Sequence, residues 1–89
     1  MTVDEILNEV KRICGAGGAQ KVVLFGSRAK GTALERSDID IAVSGVSEID
    51  AVREALEEIP TLIRIDLVDL DTCSNPLLLE DIDAYGREI

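Results

Sequence analysis

The chain has 89 residues, enough for one domain with a single modest core, so we expect residues 1–89 to form one domain. Its formal net charge of −9 disfavours direct binding to nucleic acid, and no apolar run is long enough to span a membrane. The absence of histidine excludes Ser-His-Asp and Cys-His catalysis.

The N-terminal part of the chain predicts a helix followed by a strand. Thr2 and Glu5 have the spacing of a capping box, and apolar residues recur at helical spacing as far as Ile13. We expect Gly15 to end this helix. The β-branched run Lys21–Phe25 predicts a buried strand.

A polar loop and a second strand follow. Residues 26–36 are polar and contain two glycines, which predicts a loop with at most one helical turn at its start. Asp38–Val43 alternates between polar and apolar residues and predicts a strand. Residues two apart on a strand face the same way, so Asp38 and Asp40 project together.

The C-terminal part predicts a helix, a strand and a last helix. Ser47–Glu58 carries an apolar stripe at helical spacing, and Leu62–Leu70 alternates like a strand. Asn75 followed by proline is typical of a helix start, and this helix extends toward Tyr85. The order of elements predicts a small α/β domain with a three-stranded sheet, or with a short additional edge strand.

Compartment and redox state follow from the cysteines and the N-terminus. Cys14 and Cys73 are far apart, without a CxxC pair or histidine, so no zinc motif is present. Reduced thiols and an acidic amphipathic N-terminus, unlike a signal peptide, indicate a cytoplasmic protein.

The acidic residues of the second and third strands are candidate metal ligands. Two adjacent carboxylates repel each other unless a cation or a shared proton compensates them. Asp66 lies on the polar face of the third strand and could complete a cluster with Asp38 and Asp40. Carboxylate oxygens select Mg²⁺ or Mn²⁺, although a solvated acidic face is the alternative.

Gly26 and Ser27 are candidates for phosphate binding, because they follow a strand and open a turn. Arg28 and Lys30 add positive charge beside them, as nucleotide contacts or as solvated loop residues. The segment GSRAKGT lacks the lysine of a P-loop, which excludes a Walker-type NTPase. Ser37 is a candidate nucleotide-binding residue that could orient the neighbouring carboxylate, or it is an ordinary loop serine.

The string GSRAKGT…SDIDIAV, with IDLVDL downstream, resembles the minimal nucleotidyltransferase branch of the DNA polymerase β-like nucleotidyltransferase superfamily. The resemblance covers essentially the whole chain. It implies a mixed, mostly three-stranded sheet with helices packed on one side. It also implies that Gly26 and Ser27 hold a triphosphate, that Asp38 and Asp40 bind metal, and that Asp66 is the third carboxylate.

The resemblance further implies a reaction and a partner. A hydroxyl would attack the α-phosphorus of ATP and release pyrophosphate, with two Mg²⁺ ions at the site. Members of this branch are commonly antitoxins that adenylylate a tyrosine of a HEPN-domain toxin. A binding module that masks its toxin with little or no catalysis is the alternative. The sequence leaves open whether the chain forms homo- or hetero-oligomers.

Overall fold

The computed structural model describes residues 1–89, and its first helix begins as the sequence predicts. The Thr2 hydroxyl accepts a hydrogen bond from the Glu5 amide, and the Glu5 carboxylate accepts one from the Thr2 amide. The helix continues through Gly15, however, and Gly17 caps it, so the predicted end is two residues early. A single glycine weakens a helix by only about 1 kcal/mol, which allows the last turn to form.

The structure contains four helices and four strands. They are α1 (Val3–Ala16), β1 (Lys21–Phe25), α2 (Ser27–Lys30), β2 (Ile39–Ser44), α3 (Ile49–Glu57), β3 (Ile65–Asp69), α4 (Pro76–Tyr85) and β4 (Arg87–Glu88). No helix is both long and apolar enough to span a membrane. The strands β1, β2 and β3 and the last helix agree with the predicted elements, with shifts at their ends.

The four strands form one mixed sheet in the order β3-β2-β1-β4. β2 pairs with β1 antiparallel and with β3 parallel. The sheet has four strands, not three, because Arg87 and Glu88 pair with Leu24 and Val23 at the other edge and form the short additional edge strand that the sequence left open. Two residues are too few to show an alternating pattern, so only the return of the chain beside β1 reveals this strand.

The main core lies between one face of the sheet and the helices α1 and α3. Its fully buried side chains include Ile6 and Val10 from α1 and Ile39 and Ile41 from β2. These two helices agree with the prediction that helices pack on one side. Because side chains alternate along a strand, the polar face of β2 is the opposite face.

The short helix α4 contacts that opposite face. Leu78 and Ile82 pack against a small apolar cluster that includes Val23, Phe25 and Ala42. The N-terminus of α4 is capped as predicted, since the Asn75 side chain accepts hydrogen bonds from two backbone amides. The helix therefore covers the β1 side of the face and ends near the turn that follows β1.

Candidate active site

The turn after β1 lies directly against the acidic strand β2. Gly26 has φ 73° and ψ −156°, a conformation that L-residues with a side chain rarely adopt. Its neighbour Phe25 is paired with Asp40 in the antiparallel register. A Cβ atom at Gly26 would collide with the Asp40 carboxylate, which occupies the space that the missing side chain leaves. The glycine is therefore needed both for the turn and for the close approach of Asp40.

The backbone of this turn is held by its own hydrogen bonds. The Gly26 carbonyl accepts from the amides of Ala29 and Lys30, each at 3.1 Å, and the Ser27 carbonyl accepts from the Thr32 amide at 3.0 Å. Gly26, not Ser27, is the N-cap of α2. The Ser27 side chain makes no capping hydrogen bond.

Two strand positions and the residue before β2 bring three carboxylates together at the polar face of the sheet. Asp40 and Asp66 are direct partners in the parallel register of β2 and β3, and Asp38 is exposed immediately before β2. Burial raises the pKa of Asp40, and the charges of Asp66, Asp38 and Asp81 raise it further, against the opposing effect of Arg64. The carboxylates thus form one electrostatic cluster, as the strand alternation predicts.

The cluster has the chemistry of a divalent-cation site, but its side chains do not converge on one point. No three acidic, cysteine or histidine side chains are grouped at metal-binding distances. Asp66 is instead paired with Arg64, with 3.0 Å between its Oδ1 and the Arg64 Nε. Repulsion between like charges accounts for this separation. The hard oxygen donors fit Mg²⁺, whose positive charge would relieve the repulsion that contributes to the raised pKa of Asp40.

Arg28 anchors the loop between the two halves of the motif. Its Nε and Nη2 donate to the Ser37 carbonyl at 3.1 and 2.8 Å, and Nη2 also donates to the Glu35 carbonyl at 3.1 Å. The Ser37 hydroxyl accepts from the Leu34 amide at 2.8 Å. Both side chains therefore shape the loop that leads into Asp38. Their predicted contact with nucleotide stays a prediction.

Lys30 connects the turn to α4. Its Nζ lies 2.6 Å from Oδ1 of Asp81 and 4.9 Å from the centroid of the Tyr85 ring. The hydrogen bond that Lys30 donates to Asp81 is the main cause that raises the pKa of Lys30. Sequence reasoning missed Asp81 as a member of this site. The sequence feature that could have pointed to Asp81 is its position one helical turn before Tyr85 on α4.

The largest cavity lies away from these groups. A groove of about 630 Å³ runs between α1 and α3, and none of the predicted site residues lines it. A smaller cleft of about 380 Å³ lies between α3 and β3 and has Asp66 in its wall. The smaller cleft therefore shares Asp66 with the acidic cluster, although α3 itself packs on the opposite face of the sheet.

Comparison with known proteins agrees with this geometry. The family model described as "Polymerase beta, Nucleotidyltransferase" matches residues 5–89. A solved structure described as a toxin–antitoxin with AMP-PNP is 26% identical, with a TM-score of 0.71, over 91% of this chain and 69% of that chain. A mutant of the toxin–antitoxin MntA-HpeT is 25% identical, with a TM-score of 0.70, over 93% and 70%.

A structure described as a minimal nucleotidyltransferase is 26% identical, with a TM-score of 0.65, and the match covers 100% of this chain and 97% of that chain. No curated protein matches the sequence. The family model spans nearly the whole chain, including the Gly26 turn and the three acidic positions. The chain therefore belongs to the polymerase beta nucleotidyltransferase family, in its minimal nucleotidyltransferase branch, and is a nucleotidyltransferase.

Proposed function

We propose that the chain transfers AMP from ATP to a hydroxyl of a protein partner, a tyrosine of a HEPN-domain toxin, and thereby acts as its antitoxin. One observation carries the proposal. Gly26 packs against Asp40, and Asp40 is in register with Asp66, so the turn proposed to bind the triphosphate lies beside the paired carboxylates. The similarity to a toxin–antitoxin structure with AMP-PNP supports an adenine nucleotide and a toxin partner.

Gly26 and Ser27 are proposed to bind the triphosphate. Gly26 shapes the turn through its positive φ, and the Ser27 hydroxyl has no capping role that competes with phosphate binding. Lys30 can reach phosphate oxygens only after it exchanges its ion pair with Asp81. Arg28 and Ser37 are proposed to act from the loop, where both already hold the backbone before Asp38.

Asp38, Asp40 and Asp66 are proposed to hold two Mg²⁺ ions, or Mn²⁺ in their place. When bound, the ions would supply positive charge at the α-phosphate and at the departing pyrophosphate. Asp66 orients the attacking hydroxyl and accepts its proton. The hydroxyl oxygen then forms a bond to the α-phosphorus, and the bond from that phosphorus to the bridging oxygen breaks.

A second candidate function is neutralisation of the toxin by binding alone. The pairing of Asp66 with Arg64 favours it, because an ion-paired Asp66 is not free to accept the proton of an attacking hydroxyl. The two functions make different demands on the acidic cluster. Catalysis needs its charge, whereas masking of a partner does not.

The test incubates the chain with Mg²⁺, labelled ATP and the protein encoded by the adjacent gene. Label on the α-phosphate is expected to transfer to the partner, whereas label on the γ-phosphate is expected to leave with pyrophosphate. Asp40→Asn is expected to abolish transfer, and Asp83→Asn, an exposed change on α4, is the control. Toxin neutralisation without transfer in the wild type would establish the second candidate function instead.

A further inference from the structure

The strand β3 leaves an edge of the sheet open beside Asp66. It is the outermost strand on its side, and its bonds to β2 include Ile39 amide to Arg64 carbonyl at 2.9 Å. At the other end the Leu70 amide donates to the Val43 carbonyl at 2.8 Å. In a parallel pair, only every second residue of a strand directs its backbone N–H and C=O groups toward a given neighbouring strand. The backbone groups of Ile65 and Leu67 therefore point away from β2, toward the open edge.

This edge is only lightly covered. Arg53 of α3 donates from Nη2 to the Leu67 carbonyl at the long distance of 3.4 Å, and the same guanidinium is paired with Asp50. An edge strand with free amides and carbonyls can bind another extended chain through main-chain hydrogen bonds. The donor from Arg53 is weak enough for an incoming strand to replace it.

The open edge is continuous with the cleft between α3 and β3. The cleft has a volume of about 380 Å³, and its wall includes Leu62, Ile63, Arg64 and Asp66. Leu62 is 93% exposed, which leaves a large apolar side chain without a partner at the mouth of the cleft. Asp66 belongs both to this wall and to the acidic cluster. A chain paired along the edge directs alternate side chains to both faces of the sheet, so it can contact the cleft on one face and Asp66 on the other.

We propose that this cleft is the binding site of the acceptor protein. An extended segment of the acceptor pairs with β3 as an additional strand, places an apolar side chain against Leu62, and brings its hydroxyl-bearing residue beside Asp66. This inference rests on the proposed function, since it requires a protein as the acceptor. Beyond the proposed function, the inference names the surface that binds the acceptor protein and the mode of binding.

A partner protein fits this edge better than a second copy of the chain. Two copies paired at β3 would bring together chains that each carry a net charge of −9, and they would place their acidic clusters close to each other. A partner that is neutral or basic near its acceptor residue avoids this repulsion. The exposed Leu62 supplies the apolar contact that such a segment needs.

The kinetic test changes the mouth of the cleft without touching the acidic cluster. Leu62→Glu is expected to raise the KM for the partner protein encoded by the adjacent gene at least tenfold, with the KM for ATP unchanged. Because Leu62 is almost fully exposed, the variant should fold normally. Leu77→Glu is the matched control, since Leu77 is 77% exposed on α4, away from the cleft.

Hydrogen exchange supplies a readout that does not depend on catalysis. With partner bound, the Ile65 and Leu67 amides should exchange at least tenfold more slowly. The Asp66 amide faces β2 and should change little, so it serves as an internal control. If the same amides become protected without the partner as the concentration of the chain rises, the edge binds a second copy of the chain. That result would overturn the proposal.

The outcomes separate this inference from the proposed function. Transfer with an unchanged KM in Leu62→Glu and no new protection at Ile65 and Leu67 overturns the docking mode and leaves the proposed function intact. If the wild type transfers no AMP, the proposed function fails, and hydrogen exchange alone decides the surface. In that case, protection of both amides by the partner still supports the β3 edge as the docking surface. Absence of this protection overturns the docking surface.

Discussion

Asp40 and Asp66 are direct partners across β2 and β3, so two carboxylates far apart in sequence lie side by side on one face of the sheet. The same Asp40 side chain fills the space above Gly26. The turn at Gly26, the strand β2 and the strand β3 thus meet at the Asp40 carboxylate. Changes to Asp40 or to its neighbours should therefore affect both stability and activity.

Replacement of Asp40 by Asn should stabilise the protein and abolish AMP transfer. Burial and neighbouring carboxylates raise the pKa of Asp40 above its unfolded value. The stability that this group contributes is complete below the unfolded pKa and is lost as the pH rises through the folded pKa. At neutral pH the ionised group is unfavourable, so the variant should gain up to about 1 kcal/mol, a discounted value for a partly exposed group. Urea unfolding at pH 7 measures the gain.

Asp83→Asn is the control for this prediction, because Asp83 is exposed on α4. It should change neither the urea midpoint nor the rate of transfer. A loss of stability in Asp40→Asn would contradict the electrostatic explanation. Retained transfer in that variant would contradict the assigned site.

Replacement of Gly26 by Ala should destabilise the protein and lower activity. The residue has positive φ, and a Cβ would displace the Asp40 carboxylate. Such strain costs about 1–3 kcal/mol. Gly15→Ala is the matched control, since Gly15 lies in α1 with open space around it, and it should stabilise the protein by about 0.5–1 kcal/mol. Equal effects of the two changes in urea unfolding would contradict this explanation.

Replacement of Arg28 by Ala should weaken the response to Mg²⁺. Arg28 holds the Ser37 carbonyl just before Asp38, so its loss should loosen a proposed metal ligand. Loss of such a supporting group typically costs about tenfold or more in metal affinity. We expect the Mg²⁺ concentration for half-maximal transfer to rise about tenfold.

Arg36→Ala, an exposed change in the same loop, should leave the Mg²⁺ response unaltered. Arg28→Lys should restore little, because lysine lacks the fork that reaches both loop carbonyls. If Arg28→Ala raises the KM for ATP at saturating Mg²⁺ and leaves the Mg²⁺ response unchanged, Arg28 acts by direct contact with the nucleotide instead.

Addition of Mg²⁺ should stabilise the folded chain, and removal by a chelator should reverse the effect. Neutralising the repelling carboxylates favours the folded state, and a ligand at 100 times its Kd adds about 2.7 kcal/mol. Differential scanning calorimetry should show a higher Tm with Mg²⁺ and ATP. Combined Asp38→Asn and Asp40→Asn changes should remove the increase. A wild-type Tm indifferent to both ligands would argue against the metal site.

The two cysteines should differ in reactivity. Cys14 is fully buried, and burial raises the pKa of its thiol from 9.0 to about 11, whereas Cys73 is partly exposed. A thiol reagent at pH 8 should modify one cysteine per native chain and the second only in urea. Because the folded pKa is raised, stability should fall as the pH rises from about 9 toward 11. Cys14→Ala should lack this slope, and Cys73→Ala should retain it.

Much of the fold and the polar face followed from local pattern. Strand alternation places Asp40 and Asp66 on one face, and the motif spacing identifies the turn at Gly26. The caps at Thr2 and Asn75 are confirmed because capping depends on side chains only a few residues apart. Alternation predicts which side of a strand is polar, but it does not predict the neighbours of that strand.

The partners of individual charges required the tertiary structure. Arg28 binds loop carbonyls, and Lys30 pairs with Asp81 on α4, neither of which the sequence shows. Long side chains can reach several groups, and packing of distant elements decides which group is available. For this reason Arg28 and Lys30, both predicted as nucleotide contacts, also hold parts of the fold together.

By itself, the amino-acid sequence determined the elements, their buried faces and the residue types of the site, because periodicity and turn chemistry are local. Only the tertiary structure decided that β4 closes one edge of the sheet while β3 leaves the other open beside Asp66. Strand order depends on pairing between segments that are distant in sequence. Each pairing loses chain entropy, and only burial of the whole core offsets that loss.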